Sequence, residues 1–404
     1  MKNNLLKHTY TILLSLLVIT TILGNLLTTY HQQFSLQALS FSQGYIHIQN
    51  MYEWTDDIDM VLLNGKYYWT LPPFPALILL PFVTIFKHFN IFFLQGYLQI
   101  FLVIMIFIFC YKLAKKYQIH TSSSKWLALG FLIGSTFYGV AINSMSWYYN
   151  HVVCVFLLFW AMYEYLNKER FLLIGFILAF LLASRSTVAL ASIFFILEII
   201  RSQSDLKTKL TQSSYIILPV IISLLMLMQY NFIRFGNYFD NGYMSTIQHD
   251  RNADRTRTKY GLFNIVHIPS NLYNYILRSP EPVYEPNTYR IIFPYIYGSF
   301  GGTSFLLTSS LFVTIFFGII TNKRNIHLWV SSIVILLSLL TYAYTGASQY
   351  GTRYMLDLLP IWYIILLEKY KHNNIKEIPL SHILLIIFSS TLNIYLYFAR
   401  FLVL

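Results

Sequence analysis

The chain is a succession of apolar runs separated by short polar segments. The first, Tyr10 to about Thr28, supplies the roughly 20 apolar residues that a helix needs to cross the hydrocarbon core of a bilayer. It follows Lys2, Lys7 and His8, as the apolar part of a signal peptide follows its basic start. It is longer than the usual roughly 7 to 15 residues, however, and no A-x-A site comes after it, so it is expected to remain as a first helix. Further runs at about 91–111, 126–143, 151–166, 171–184, 187–200, 214–232, 304–320, 327–344, 354–368 and 380–402 bring the expected crossings to about eleven. Phe74 to Phe86 spans only about 13 residues, too few to cross, and reads as a re-entrant or interfacial helix.

The loops test this assignment, because short cytoplasmic loops are enriched in Lys and Arg. Lys112, Lys115, Lys116 and Lys125, then Lys168 and Arg170, then Arg201, Lys207 and Lys209, then Lys323 and Arg324, then Lys369, Lys371 and Lys376 all fall on the side of the N-terminus. Counting 74–86 as a crossing would put the later lysines outside. The predicted fold is therefore all-α, a single integral membrane domain over residues 1–404 with its N-terminus in the cytoplasm and its C-terminus outside. Two large outer segments remain, about 30–90 and about 233–303.

Composition strengthens this picture. Of 404 residues, 56% are hydrophobic and 11% charged, against roughly 25% charged in a soluble domain. The net charge of +12 is spread as short clusters between apolar runs, which argues against nucleic-acid binding. Cys110 and Cys154 both fall inside expected spans and provide no disulfide framework. The His residues lack paired partners at metal-ligand spacing, so no metal site is expected.

Chemistry concentrates in the outer segments. Glu53, Asp56, Asp57 and Asp59 are four of only 16 acidic residues. A carboxylate oriented and partly desolvated near the bilayer can act as a general base toward an acceptor hydroxyl; the plain alternative is an acidic, hydrated loop. The following stretch, NGKYYWTLPPFPALILLP, fixes geometry. Asn64 and Gly65 suit a tight turn, Tyr67, Tyr68 and Trp69 suit the interface, and Pro72, Pro73 and Pro75 stiffen the entry to the short helix. Arg185, in LLASRSTVALA, splits an apolar stretch from Phe171 to Ile200 and is placed at the apex of a hairpin, where it either binds phosphate or snorkels to the interface. Arg353, in TGASQYGTRYMLDLLP, either pairs with Asp357 one helical turn on or faces a departing phosphate. Asn150 and His151 enter a span from the outer side, and Arg234, Tyr243, Arg255, Arg257 and Lys259 belong to the second outer segment, candidates for lipid-phosphate or acceptor contacts. The charged run there is HDRNADRTRTKYG.

This order of parts resembles bacterial membrane glycosyltransferases of the GT-C fold, users of polyprenyl-phosphate sugars that include protein mannosyltransferase-like and lipid A aminosugar transferase-like enzymes. The resemblance is carried by the first helix and acidic outer loop, GKYYW with PPFPALILLP, the helix ending in YKLAKK, the hairpin interrupted by SRS, and the late GTRY followed by LP. It covers roughly the first 200 residues and the segment around Arg353. Family members often carry an Asp-Glu pair soon after the first helix, whereas Thr29 to Met51 here has no acid, and Asp59 best fits the aspartate preceding the GKYY-like stretch.

The resemblance implies transfer of a sugar from a lipid-linked phosphate donor to a glycan, lipid or protein acceptor on the extracytoplasmic face of a bacterial inner membrane. It implies Asp56, Asp57 or Asp59 as base, with Arg185, Arg353, Lys66, Tyr67, His151, Tyr243 and Arg257 on the substrates. No cofactor is expected beyond the donor itself, and the acids and guanidinium groups are expected to meet in one outer pocket. Two rivals are a lipid or small-molecule transporter or flippase, which would show charged or broken helices and matching halves, and a non-catalytic assembly protein that binds partners through its outer loops.

Overall fold

The computed structural model describes residues 2–49, 51, 56–247, 251–318, 321–347 and 349–403. Glu53 of the acidic cluster, and His249 and Asp250 of the charged run, lie outside the described residues. The protein is mostly helical. From the N-terminus the helices are α1 (Lys2–Leu27), α2 (Gln33–Phe41), α3 (Phe74–Lys87), α4 (Gln95–Lys116), α5 (Thr121–Leu132) and α6 (Phe137–Ala141). There follow α7 (Ser146–Asn167), α8 (Phe171–Leu182), α9 (Ser186–Ala189), α10 (Ser192–Arg201), α11 (Leu206–Phe235) and α12 (Arg251–Tyr260). The last are α13 (Ile268–Leu272), α14 (Phe305–Thr308), α15 (Ser310–Val313), α16 (Lys323–Leu340), α17 (Leu359–His372) and α18 (Leu380–Val403). The strands form three small pairs: β1 (Met60–Leu63) with β2 (Lys66–Trp69), β3 (Glu281–Tyr284) with β4 (Ile291–Tyr297), and β5 (Gly301–Thr303) with β6 (Gln349–Gly351).

Among the described residues, five helices are long and apolar enough to cross a membrane: Asn4–Leu27, Gln95–Lys116, Leu206–Phe235, Lys323–Leu340 and Leu380–Arg400. The physical sign of their environment is the apolar surface they leave uncovered. Leu218, Ile221, Ile222, Leu225 and Met226 of α11 are all exposed, a ridge that costs free energy in water and nothing in lipid. α7 has the length, but Asn150, His151 and Glu164 lower its apolarity. α3 is a 14-residue helix with Pro73 before it and Pro81 inside it, at the place expected for a helix too short to cross.

The chain divides into two compact units. One comprises Met1–Leu23, Ile104–Ile142 and Ile265–Leu404, the other Gly24–Val103 and Asn143–Asn264.

In the first unit, two of the runs expected as continuous spans are broken. The run 126–143 stops at Leu132 and resumes as α6, and 304–320 is divided into α14, α15 and a 3-10 turn. A break bares backbone carbonyls, which away from water need donors. α18 supplies them: Asn393 Nδ2 donates to the carbonyls of Ile133 (3.0 Å), Ser135 (3.0 Å) and Thr308 (2.9 Å), and Ser389 Oγ to that of Gly134 (2.9 Å). The other end of this unit is tied by Glu368, buried on α17, which accepts from Tyr117 Oη (2.7 Å) and Arg324 Nη1 (3.4 Å).

In the second unit, α8 and α11 run against each other. Gly175 lets them approach, since a Cβ there would lie 2.1 Å from the carbonyl oxygen of Tyr215. Small residues permit such backbone contact between membrane helices. The start of α7 is set by buried amides. Gln95 Nε2 donates to Ser146 Oγ (3.1 Å), to the His31 carbonyl (3.2 Å) and to that of Ser144, and the Gln95 N–H donates to Gln32 Oε1 (3.0 Å). Gln99 Nε2 donates to Asn25 Oδ1 (2.8 Å) and to the Asn143 carbonyl (3.0 Å).

Replacing Asn393 by Leu removes a donor from three buried carbonyls, of which that of Ser135 keeps the N–H of Tyr138 (3.2 Å), at about 1–3 kcal/mol for each buried group left unpaired. Asn393→Leu is expected to lower the thermal unfolding temperature of the purified protein in detergent by far more than Phe388→Leu on the exposed side of the same helix.

Candidate functional site

The acidic loop is held in the second unit by contacts from three directions. Asp56 Oδ1 accepts from the N–H of Ile58 (3.0 Å), an Asx turn that orients its carboxylate, and the Asp57 carbonyl accepts from the N–H of Met60 (3.0 Å). Asp59 follows in the left-handed region, φ 60°, which Asp tolerates better than most residues. Its N–H donates to the carbonyl of Ile247 (3.1 Å), and the N–H of Ile247 donates back to the carbonyl of Met60 (2.8 Å). The segment that follows α11 is thus strapped to the acidic loop between α2 and α3. Asn64 and Gly65, at φ 52° and 72°, close the β1–β2 hairpin by the two-residue turn their sequence implies.

The side chain of Asp59 is half-buried, and its Oδ2 accepts from Trp147 Nε1 at 2.8 Å. Trp147 lies in the first turn of α7, its ring edge-on to Trp69 (5.8 Å) and to His31 (5.0 Å). One turn further along α7, Asn150 Nδ2 donates to the carbonyl of Ser184 (3.1 Å), and the N–H of Phe74, at the start of α3, donates to the carbonyl of Ala183 (3.0 Å). Ala183 and Ser184 precede Arg185, which caps α9 in extended conformation with a half-exposed side chain. The acidic loop, the start of the short helix and the SRS break therefore converge on the same end of α7.

The other expected site residues are distributed differently. His151 is buried within α7, and Lys66 is exposed and Tyr67 half-buried on β2. Arg257 is buried and internally engaged, donating to the Tyr243 carbonyl (2.7 Å), to Thr246 Oγ1 and to Asp254 Oδ1 (2.6 Å). It locks the turn that carries Ile247, while Tyr243 is half-buried at the foot of that turn. Arg353 belongs to the first unit. It is buried in a 3-10 turn, its Nη1 donating to the Ala347 carbonyl (2.6 Å) and its backbone N–H to Gln349 Oε1 (3.1 Å). Gln349 Nε2 in turn donates to the Gly301 carbonyl (2.8 Å) beside the β5–β6 pair. Among the described residues, no group of three His, Cys, Asp or Glu is gathered as metal ligands would be.

Two features, His31 and α2, escaped the sequence, and Arg234 was visible only as a candidate for lipid-phosphate or acceptor contacts. His31 sits at φ 54° beside Trp147 and near Asp56. Arg234 is buried, donating Nη1 to the Trp69 carbonyl (2.8 Å) and Nη2 to Asn231 Oδ1 (2.7 Å), with its guanidinium 4.0 Å from the Tyr230 ring centre. The helix α2 buries Gln33, Ser35 and Gln37, and Gln37 Nε2 donates to Tyr230 Oη (2.9 Å). The signal for it was the Gln33–Gln37 spacing of one helical turn in a segment without acids.

Compared with known proteins, the chain matches no family model and no curated relative.

Burial holds His31 below the usual histidine range, with the Asp56 charge working in the opposite direction. Its folded pKa is depressed, so the unfolded chain takes up a proton that the folded one refuses. Stability is then full above a pH of about 6.5 and declines as pH falls below it. In a pH series of thermal unfolding, His31→Asn is expected to flatten this decline, and Asp56→Asn, which removes the opposing charge, to steepen it. Arg234→Met, which leaves the Trp69 carbonyl without its donor, is expected to cost about 1–3 kcal/mol in the same assay.

Proposed function

We propose that this protein is a membrane glycosyltransferase resembling the GT-C enzymes, with about eleven crossings, an N-terminus in the cytoplasm and its active face outside a bacterial inner membrane. Its donor is a sugar on polyprenyl phosphate, and its acceptor is a glycan, lipid or protein hydroxyl. What supports this reading most directly is the meeting of Asp59 and the SRS break on one end of α7, through Trp147 and Asn150.

In this proposal Asp59 is the base. The acceptor oxygen forms its bond to the anomeric carbon as the bond from that carbon to the phosphate oxygen breaks. The hydroxyl proton passes to the Asp59 carboxylate, and the electron pair leaves with the phosphate. Arg185, at the break, stabilises that growing charge through its planar fork of donors. Trp147 fixes one carboxylate oxygen and so the orientation of the group. Orientation of this kind contributes by holding the reacting groups in attack geometry.

Asn at position 59 keeps both the left-handed backbone and an acceptor oxygen for Trp147 while removing the basicity. In proteoliposomes supplied with a polyprenyl-phosphate sugar, Asp59→Asn is expected to lower the transfer rate by about 10²–10⁴-fold. Asp56→Asn and Asp57→Asn are expected to retain most activity. Full activity in Asp59→Asn would move the base elsewhere, and full activity in all three variants would remove the enzymatic reading.

A further inference from the structure

The β3–β4 hairpin of the first unit leaves a row of large apolar side chains uncovered. Along β4, Ile291 is 49% exposed, Phe293 65% and Tyr295 57%, while Pro294 between them is buried. Across the ladder Tyr284, 50% exposed, pairs with Ile291 and extends the same row. The rings of Phe293 and Tyr295 meet edge-to-face at 5.9 Å. No Lys, Arg, Asp or Glu lies within β4; the charges sit at the ends of the hairpin, as Arg278 with Glu281 (3.1 Å) at the base and Arg290 with Glu285 (3.7 Å) at the tip.

A two-stranded sheet on its own is at best marginally stable in water and needs cover on at least one face. α18 provides it on one side: β4 packs against this helix, and Tyr395 Oη donates to the carbonyl of Pro294. That contact also fixes the depth of the hairpin. α18 is apolar from Leu380 to Arg400, and Tyr395 lies in the last turn and a half of that stretch. Phe398, in the same last turns of α18, is exposed as well. Tyr and other aromatic side chains are favoured at this level, with the ring body in the apolar layer and the polar edge at the headgroups.

We infer that the β3–β4 hairpin is an interfacial anchor, lying along one end of α18 with Ile291, Phe293 and Tyr295 set into the headgroup and upper acyl region of the bilayer and the Glu285–Arg290 tip in water. The inference rests on α18 crossing the membrane and stands apart from any catalytic role. The bilayer supplies the second cover that the hairpin lacks, and the hairpin in turn fixes the segment that leads through Gly301–Thr303 to the pairing with Gln349–Gly351.

The test uses the full chain in vesicles of phosphatidylcholine and phosphatidylglycerol, with an environment-sensitive nitrobenzoxadiazole dye attached at one site. Phe293→Cys and Tyr295→Cys report the exposed row, and Asn287→Cys reports the tip, each in a background where Cys110 and Cys154 are replaced by Ala. Spin-labelled lipids are expected to quench the dye at 293 and at 295 several-fold more than at 287, and a water-soluble quencher to show the reverse order. Equal access of the water-soluble quencher to all three sites would overturn the inference. Shielding at 293 and 295 from both quenchers would also overturn it, in favour of a protein partner on this face. Using two sites on the row keeps the result readable should one variant fail to fold, which thermal unfolding of each labelled protein establishes.

Discussion

The fold depends on how a chain surrounded largely by hydrocarbon satisfies backbone groups wherever its helices stop. Each interruption bares carbonyls and N–H groups that water cannot reach, and the protein meets this demand with side-chain amides carried on neighbouring helices. Asn393 closes the interruptions of α5–α6 and α14–α15 in the first unit, and Gln349 the end of the β5–β6 pair. Gln95 and Gln99 do the same for the start of α7 in the second. A primary amide suits the task because its two N–H donors, shared where three acceptors crowd round them, carry no charge that the environment would penalise. The broken elements are thereby fixed in place.

The candidate site follows from this constraint. Gln95 holds the His31 carbonyl and Ser146 together, which sets the first turn of α7 and so the direction of Trp147. Trp147 then orients Asp59, whose backbone is independently fixed by Ile247. Arg257 and Arg234, both buried and both bound to backbone carbonyls, act as braces on either side: one on the turn carrying Ile247, the other on the end of β2 at Trp69. A guanidinium suits a brace because several donors point in fixed directions from one rigid plane.

The sequence made the long apolar helices, the short proline-led helix and the Asn64–Gly65 turn legible, because each rests on a local signal: length, ring constraint, or two adjacent residues that accept positive φ. It did not reveal that 126–143 and 304–320 are broken, since their hydropathy is continuous and the breaks are made tolerable by Asn393, far away in the chain. The burial of Arg257, a candidate for lipid-phosphate or acceptor contacts, was not legible, because exposure cannot be judged from a charged run; the fold shows it turned inward onto Thr246 and Asp254. Asp59 was legible as one of three acids and, by resemblance, as the one that best fits the aspartate before the GKYY-like stretch, whereas its hydrogen bond from the indole of Trp147 is a tertiary contact without a sequence signature.

The pairing of Asp59 and Met60 with Ile247 bears on biogenesis. The loop that carries the carboxylates is made early, yet the strand of backbone that completes its hydrogen bonding leaves the ribosome only after α7 to α11 have been synthesised. Until then the acidic loop lacks one wall, so the nascent protein passes through a long interval in which its helices are inserted while this region is still unformed.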